Sequence, residues 1–273
     1  MFIVIGSGIA LALAYDVNKP YDALQVMILS NPGATFIRGI HYWSSQFFLV
    51  LTGLHFADQL SRNGEREITP GSWLQLCLVV PTLIFLMISG FILKGDRSGI
   101  LAREVLDGLL GVVPIGTSIL KFLFLGSSHT LQVVYLHHVA TATLVLLVLT
   151  LRHGERVWPE PRSIIYVLGF SMVLAAVFTP GLNAEASGVH VRGPWYFVGL
   201  QEILHWTSRP IWVVVLGMAG FVFLFVLPFV PKGCSRKIKC TILACLIVYL
   251  SLIVIGIFFR GTNWELIWPL ANS

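Results

Sequence analysis

The sequence predicts an all-α, polytopic membrane protein of about seven transmembrane helices, on three observations. Of its 273 residues 56% are hydrophobic and only 11% are charged, with a mean hydropathy of +0.83. That leaves too little polar surface to cover a water-soluble globule of this size. The apolar residues are gathered into runs of roughly 20, the length that crosses ~30 Å of hydrocarbon at ~1.5 Å per residue. Finally, the motifs of common soluble chemistry are missing: there is no glycine-rich phosphate loop, no H-E-x-x-H, no G-x-S-x-G and no C-x-x-C pair.

In chain order, a short run opens the sequence at Phe2–Tyr15, and longer ones lie at 36–60, 73–93, 130–152, 163–180, 211–230 and 240–259. The first lacks a basic stretch before it and a small-residue cleavage site before the polar segment Asp16–Tyr21. It is expected to be a retained, short helix and not a cleaved signal. Seven spans put the termini on opposite sides. Arg62, Arg66, Arg152, Arg156, Arg162, Lys232, Arg236, Lys237 and Lys239 share one side in short loops, while the other nine basic residues are spread over longer segments. Short basic loops mark the cytoplasmic face. A pI near 9.2 thus follows from topology and implies no nucleic-acid partner. Cys77 and Cys245 sit in apolar runs and are expected in the core. Trp43, Trp73, Trp158, Trp206, Trp212, Trp264 and Trp268 fall near helix ends, as an interfacial belt does.

The histidines carry the chemistry. Eight are present, and His41, His55, His129, His137, His138 and His153 lie in or at the mouth of only two helices, the second and fourth. His41 and His55 are 14 residues apart, within about 40° of one helix face and about 21 Å along the axis. His138 and His153 are 15 apart, about 60° off one face and about 22 Å along the axis. With one helix between them, the second and fourth spans run the same way, so His41 is expected to face His138 and His55 to face His153. Each pair would supply both axial ligands of a bis-imidazole haem. A lone membrane histidine is commonly a hydrogen-bonding group and nothing more; four at two matched spacings point to two stacked cofactors. His137 adjoins His138 and either could be the ligand. His137 is about 160° away from the face of His153, which favours His138 and leaves His137 to bond a propionate or to pack at the boundary. His129, in G-S-S-H-T, is expected to cap a helix or lie in a loop.

These residues resemble the cytochrome b family of quinol:cytochrome c reductase complexes. Phe36–His55, F-I-R-G-I-H-Y-W-S-S-Q-F-F-L-V-L-T-G-L-H, is similar to that family's haem-ligand helix. The resemblance implies that Arg38, three residues before the first ligand, serves a haem propionate, a role that suits a cation at the interface. The Gly8 region resembles the end of the family's first helix, and Ser89-Gly90-Phe91 the close-packing glycine of its third. Glycine there lets a flat macrocycle approach the backbone. Val191–His205 resembles the segment lining the quinol-oxidising pocket. The 15-residue spacing and the three later spans resemble the plastid-type cytochrome and its separate subunit IV joined in one chain. That implies a haem-bearing four-helix bundle over Met1–Glu160 and a subunit IV-like three-helix part over Pro161–Ser273.

The resemblance implies two haem b groups and electron transfer across the bilayer, coupled to a quinone such as menaquinone. The expected setting is an energy-transducing membrane, bacterial and cytoplasmic, in a multisubunit complex whose dimerisation the sequence leaves open. Expected partners are membrane lipid and other redox subunits: a Rieske-type protein, a c-type or multihaem cytochrome, or an iron–sulfur protein. Phe258–Pro269, F-F-R-G-T-N-W-E-L-I-W-P, is expected to dock against a partner subunit.

Three departures from the family bear on mechanism. Gly193-Pro194-Trp195-Tyr196 replaces P-E-W-Y, so the glutamate that takes a quinol proton is missing. Tyr196 remains, and Glu202 is the candidate substitute; its alternative is a carboxylate bonded to a neighbouring helix. Leu93-Lys94-Gly95-Asp96-Arg97 replaces P-W-G-Q. Asp58 stands where the family has a basic residue, and a carboxylate beside a haem tends to lower its reduction potential by stabilising the ferric charge. The competing function is a non-bifurcating cytochrome b anchor linking a quinone to a multihaem cytochrome or iron–sulfur oxidoreductase. A second is a transporter or structural subunit without haem, against which stands the lack of an internal repeat.

Overall fold

A computed structural model of the chain describes residues 1–127, 130–154, 160–183, 191–261 and 263–267. Among these residues the chain is helical, and its one β feature is an isolated bridge between Arg260 and Leu266. His129 falls outside the described residues, as do Trp158, Trp268 and the end of the Phe258–Pro269 segment.

The helices begin where local chemistry lets them. The first, α1 (Phe2–Ala12), is apolar but only 11 residues long. After α2 (Pro20–Ser30), Asn31 accepts a hydrogen bond from the Ala34 amide at 3.0 Å, and Pro32 opens the 30-residue α3 (Pro32–Ser61). A side-chain N-cap followed by proline is a favoured helix start, since it fills one orphan donor and removes another. Thr69 and Pro70 repeat the device at α4 (Pro70–Ile92), where Thr69 Oγ1 accepts from the Ser72 amide at 3.2 Å. The fourth apolar run is three pieces in one continuous helix: α7 (Gln132–Leu136), a π-turn over His137–Thr141, and α8 (Ala142–Gly154). Then come α9 (Pro161–Val177), α11 (Ile211–Val226) and α12 (Lys232–Phe258).

Among the described residues four segments are long and apolar enough to cross a bilayer: Pro70–Ile92, Gln132–Leu151, Ile211–Phe229 and Lys232–Phe258. They leave large apolar side chains such as Leu144, Val148, Leu216, Met218, Leu243 and Ile247 exposed, as expected where the solvent is lipid. Of the other three expected spans, α1 and α9 are apolar but short, and α3 is long enough but interrupted by polar residues along its length.

Hydropathy alone missed α2, α5 (Arg97–Gly111), α6 (Thr117–Leu125) and α10 (Trp195–Trp206). These are short, and α5, for example, mixes Arg103, Glu104 and Asp107 with Ile100 and Leu106. Side-chain placement also corrects two expectations. Cys77 is buried, but Cys245 is exposed on α12. Trp73 is no belt residue: it is 2% exposed and stacks on Phe56 with ring centroids 5.8 Å apart.

The chain forms two compact units. One comprises Met1–Asp96 and Phe124–Leu182, in which α1 and α9 pack on α3 and α4 packs on α8. The other comprises Arg97–Leu123 and Asn183–Ser273, in which α10 packs on α12.

Candidate functional site

The first unit brings the four histidines together in the expected pairs. The rings of His41 and His138 have centroids 6.3 Å apart, and those of His55 and His153 are 5.9 Å apart. Two imidazoles each ~2 Å from one metal ion put their centroids about 6 Å apart, so both pairs stand at the separation of a bridged metal. Among the described residues no group of three or more His, Cys, Asp or Glu gathers as a metal site. Two imidazoles at that separation fit the ligand set of a bis-histidine haem.

On α3 the 14-residue spacing needs only a regular helix. The 15-residue spacing on the partner helix does not fit in the same way, because one more residue turns the second histidine about 100° further. The π-turn His137–Thr141 absorbs it. There the Ala142 amide donates to the His137 carbonyl five residues back, and Thr143 Oγ1 donates to the His138 carbonyl at 2.5 Å. A π-turn is a one-residue insertion in an α-helix, so His138 and His153 share a face as if 14 apart. The neighbouring His137 turns instead toward Phe85 and Phe124, at centroid distances of 6.0 and 6.2 Å.

Two glycines clear the ground beside one pair. A Cβ on Gly8 would stand 3.0 Å from His41 Cε1, and one on Gly90 would stand 2.8 Å from His138 Cε1. His41 Nδ1 lies 3.0 Å from the Val4 carbonyl, which can only accept, so Nδ1 carries the proton and Nε2 is left bare for a metal. Ser7 Oγ stands 3.2 Å from His41 Nδ1, and Ser89 Oγ 3.0 Å from His138 Nδ1. Neither serine was singled out in the sequence; the available signal was that each precedes one of these glycines.

Arg38, one turn before His41, is buried and donates from Nη1 to the Pro180 carbonyl at 2.5 Å, with the Asp96 carboxylate acting on it electrostatically. Asp96 is 2% exposed and pairs with Lys94 Nζ at 2.8 Å. Between them Gly95 adopts φ +63°, and a Cβ there would strike Pro20 Cγ at 2.6 Å. The replaced loop is thus a tight, charged turn seated on the start of α2. At the other pair, Asp58 is exposed and bonded to Arg62 Nε at 2.9 Å.

In the second unit Glu202 is fully buried and already bonded. Arg260 Nε reaches its two oxygens at 3.1 and 3.0 Å, Arg260 Nη2 pairs with Oε1, and Trp264 Nε1 donates to Oε2 at 2.9 Å. Burial pushes the carboxyl pKa up, but the hydrogen bonds and charge of Arg260, with Trp264, more than offset this and hold it below the usual value. Glu202 is thus bonded to the turn that follows α12, not to a neighbouring helix as the alternative had it; an ionised, saturated carboxylate makes a poor acceptor for a quinol proton. Arg260 also donates to the Trp264 carbonyl at 2.8 Å, fixing Trp264 at φ +62°, a left-handed conformation rare for a bulky residue. Arg260 lies 58 residues from its partner, beyond the reach of any sequence periodicity. Tyr196 is half-buried between Trp195 and Phe197, and its carbonyl accepts from Tyr249 Oη at 2.5 Å.

The family described as Cytochrome b/b6/petB matches residues 1–155, and that described as Cytochrome b(C-terminal)/b6/petD matches residues 182–263. A cytochrome b of Venturia inaequalis is 22% identical over 88% of this chain and 71% of its own length. A cytochrome b6 of Mastigocladus laminosus is 21% identical over 53% of this chain and 68% of its own. Among solved structures, a chain of a hyperthermophilic respiratory Complex III shares the fold, with a TM-score of 0.65 at 21% identity over 93% of this chain and 80% of that one.

Proposed function

We propose, from the premise that this chain belongs to the cytochrome b/b6 family, that it is a di-haem subunit passing electrons across the bilayer between a quinone and a partner redox subunit. Family membership makes haem b its cofactor and a membrane its setting. The observation that carries the di-haem assignment is the pair of histidine couples at 6.3 and 5.9 Å. They lie about 21 Å apart along α3, so together they span most of the hydrocarbon.

In this function His41 and His138 would hold one haem iron, and His55 and His153 the other. Gly8 and Gly90 keep the approach to the first pair free of side chains. Arg38, at the same end of the bundle as His41, is the cation for a propionate. Bound haem supplies the reversible one-electron iron couple. The chain aligns the two ligand pairs, excludes water with the apolar faces of α1, α4 and α9, and offers a face to a quinone near Tyr196. Seven spans, a haem-bearing part Met1–Glu160, a subunit IV-like part Pro161–Ser273 and a place in a multisubunit quinol oxidoreductase of an energy-transducing membrane complete the proposal.

A specific observation favours one form of it. Gly193 stands in place of the usual glutamate, and Glu202 is committed to Arg260 and Trp264. With Glu202 already bonded to Arg260 and Trp264, the site suits the non-bifurcating anchor, which hands electrons on without splitting a quinol's two electrons between partners. The test of the di-haem assignment is His55→Ala: one of two haems is lost and the other keeps its low-spin spectrum. Retention of both would exclude the pairing.

A further inference from the structure

The His41–His138 pair is served from both sides by the same two-residue device. On α1, Ser7 lies 3.2 Å from His41 Nδ1 and Gly8 faces the ring at Cε1. On α4, Ser89 lies 3.0 Å from His138 Nδ1 and Gly90 faces that ring at Cε1. Each hydroxyl has its own proton engaged: Ser7 Oγ donates to the Ile3 carbonyl at 2.7 Å and Ser89 Oγ to the Leu86 carbonyl at 3.1 Å. With their protons so engaged, both oxygens present only lone pairs to the ring nitrogens. Ser89 is fully buried and Ser7 half-buried, so water competes little for either.

We propose that Ser7 and Ser89 are positioning residues that accept the Nδ1–H of His41 and His138, Ser7 sharing that of His41 with the Val4 carbonyl at 3.0 Å, and thereby hold the haem of that pair and set its potential. This rests on the di-haem assignment. A hydrogen-bond acceptor on the outer nitrogen of a ligating histidine fixes the tautomer, locks the ring's rotation and raises its basicity as a ligand. A more basic ligand stabilises the ferric state and lowers the potential. The glycine and the serine act on the same ring from consecutive positions of one helix. The glycine allows the helix to come close, and the closeness brings the hydroxyl into range.

The experiment uses the whole purified chain with its haems, and Ser7→Ala, Ser89→Ala, the double variant and Ser89→Thr. Haem count of the unsubstituted chain is measured first; fewer than two haems would refute the di-haem assignment, a result separable from any change in potential. Redox titration of each variant then reads the two haems individually, alongside haem transfer to excess apomyoglobin. The expected result is a rise in the midpoint potential of one haem only in either alanine variant, smaller for Ser7→Ala because the Val4 carbonyl still accepts from His41 Nδ1, a larger rise in the double variant, and release of that haem in the double variant roughly 10–100-fold more readily. Ser89→Thr keeps the hydroxyl and stays near the unsubstituted values. Unchanged potentials and release in both alanine variants would overturn the proposal. So would equal shifts of both haems, which would mean general loosening of the bundle. If an alanine variant fails to fold, Ser89→Cys, nearly isosteric and a weak acceptor, must give the one-haem shift or the proposal falls.

Discussion

The two histidine pairs are alike in ring separation and unlike in surroundings. Around His41 and His138 stand a glycine and a serine from each covering helix, with buried Arg38 and Asp96 at the same end. At the other end His55 is exposed, and its near neighbour in sequence, Asp58, is neutralised by Arg62 in an exposed pair. Metal-bridge spacing therefore goes with different surrounds at the two ends. The spacing requires that two helices keep two stripes in register, and the helices do so by different means: α3 by a spacing of 14, its partner by a spacing of 15 and a π-turn.

The largest effects come from breaking that register. One alanine inserted after Val50 in α3 rotates His55 by about 100° relative to His41, and one haem of two should be lost. Deleting Ala140 from the π-turn should instead leave a regular helix with both haems in place. Equal haem loss in the two variants, counted by pyridine haemochrome, would show that the π-turn does not carry the extra residue.

A lesion in the second unit should leave the histidine pairs alone. Glu202→Ala strands Arg260 in a buried site, a change that costs about 3–5 kcal/mol, read as a lower thermal unfolding midpoint for that unit at unchanged haem content. The same pair gives a pH dependence. Because the folded pKa of Glu202 lies below its ordinary value, its ionised form contributes stability above that ordinary value, near pH 4.5, and the contribution is lost as pH falls through the folded pKa. Glu202→Gln should flatten this acid limb; an unaltered limb would assign the acid sensitivity to another group.

Smaller effects sharpen the difference in surround. Gly90→Ala, whose Cβ would stand 2.8 Å from the ring of His138, should cost about 2 kcal/mol of holoprotein stability, within the range for overpacking. Gly8→Ala, at 3.0 Å from His41, should cost less. At the His55–His153 end, Asp58→Asn removes one side of an exposed pair and should change stability by under about 1 kcal/mol while scarcely moving either potential. A large shift there would mean that Asp58 faces a haem and not the solvent.

Much of this arrangement was legible in the sequence, since helices announce themselves through apolar runs and ligand stripes through multiples of a helical turn. His138 could be preferred to His137 on angle alone, and the two now lie on different sides of their helix, one toward His41 and one toward Phe85 and Phe124. The π-turn was not legible, because a backbone's choice between a carbonyl four and five residues back is made by packing. Nor was the partner of Glu202: Arg260 reaches it only through a tertiary turn that also forces Trp264 to positive φ. Short amphipathic helices such as α5 escaped because their apolar faces are too brief to register as runs. Ser7 and Ser89 were visible as residues but not as partners, for what matters in them is which oxygen has already given its proton away.

The most direct test of the central claim is a pyridine haemochrome count with a reduced-minus-oxidised spectrum on the purified chain. Two b-type haems per chain with low-spin bis-histidine bands are the predicted result. No haem, or a single haem unaffected by substituting His55, would contradict the assignment of the two histidine pairs.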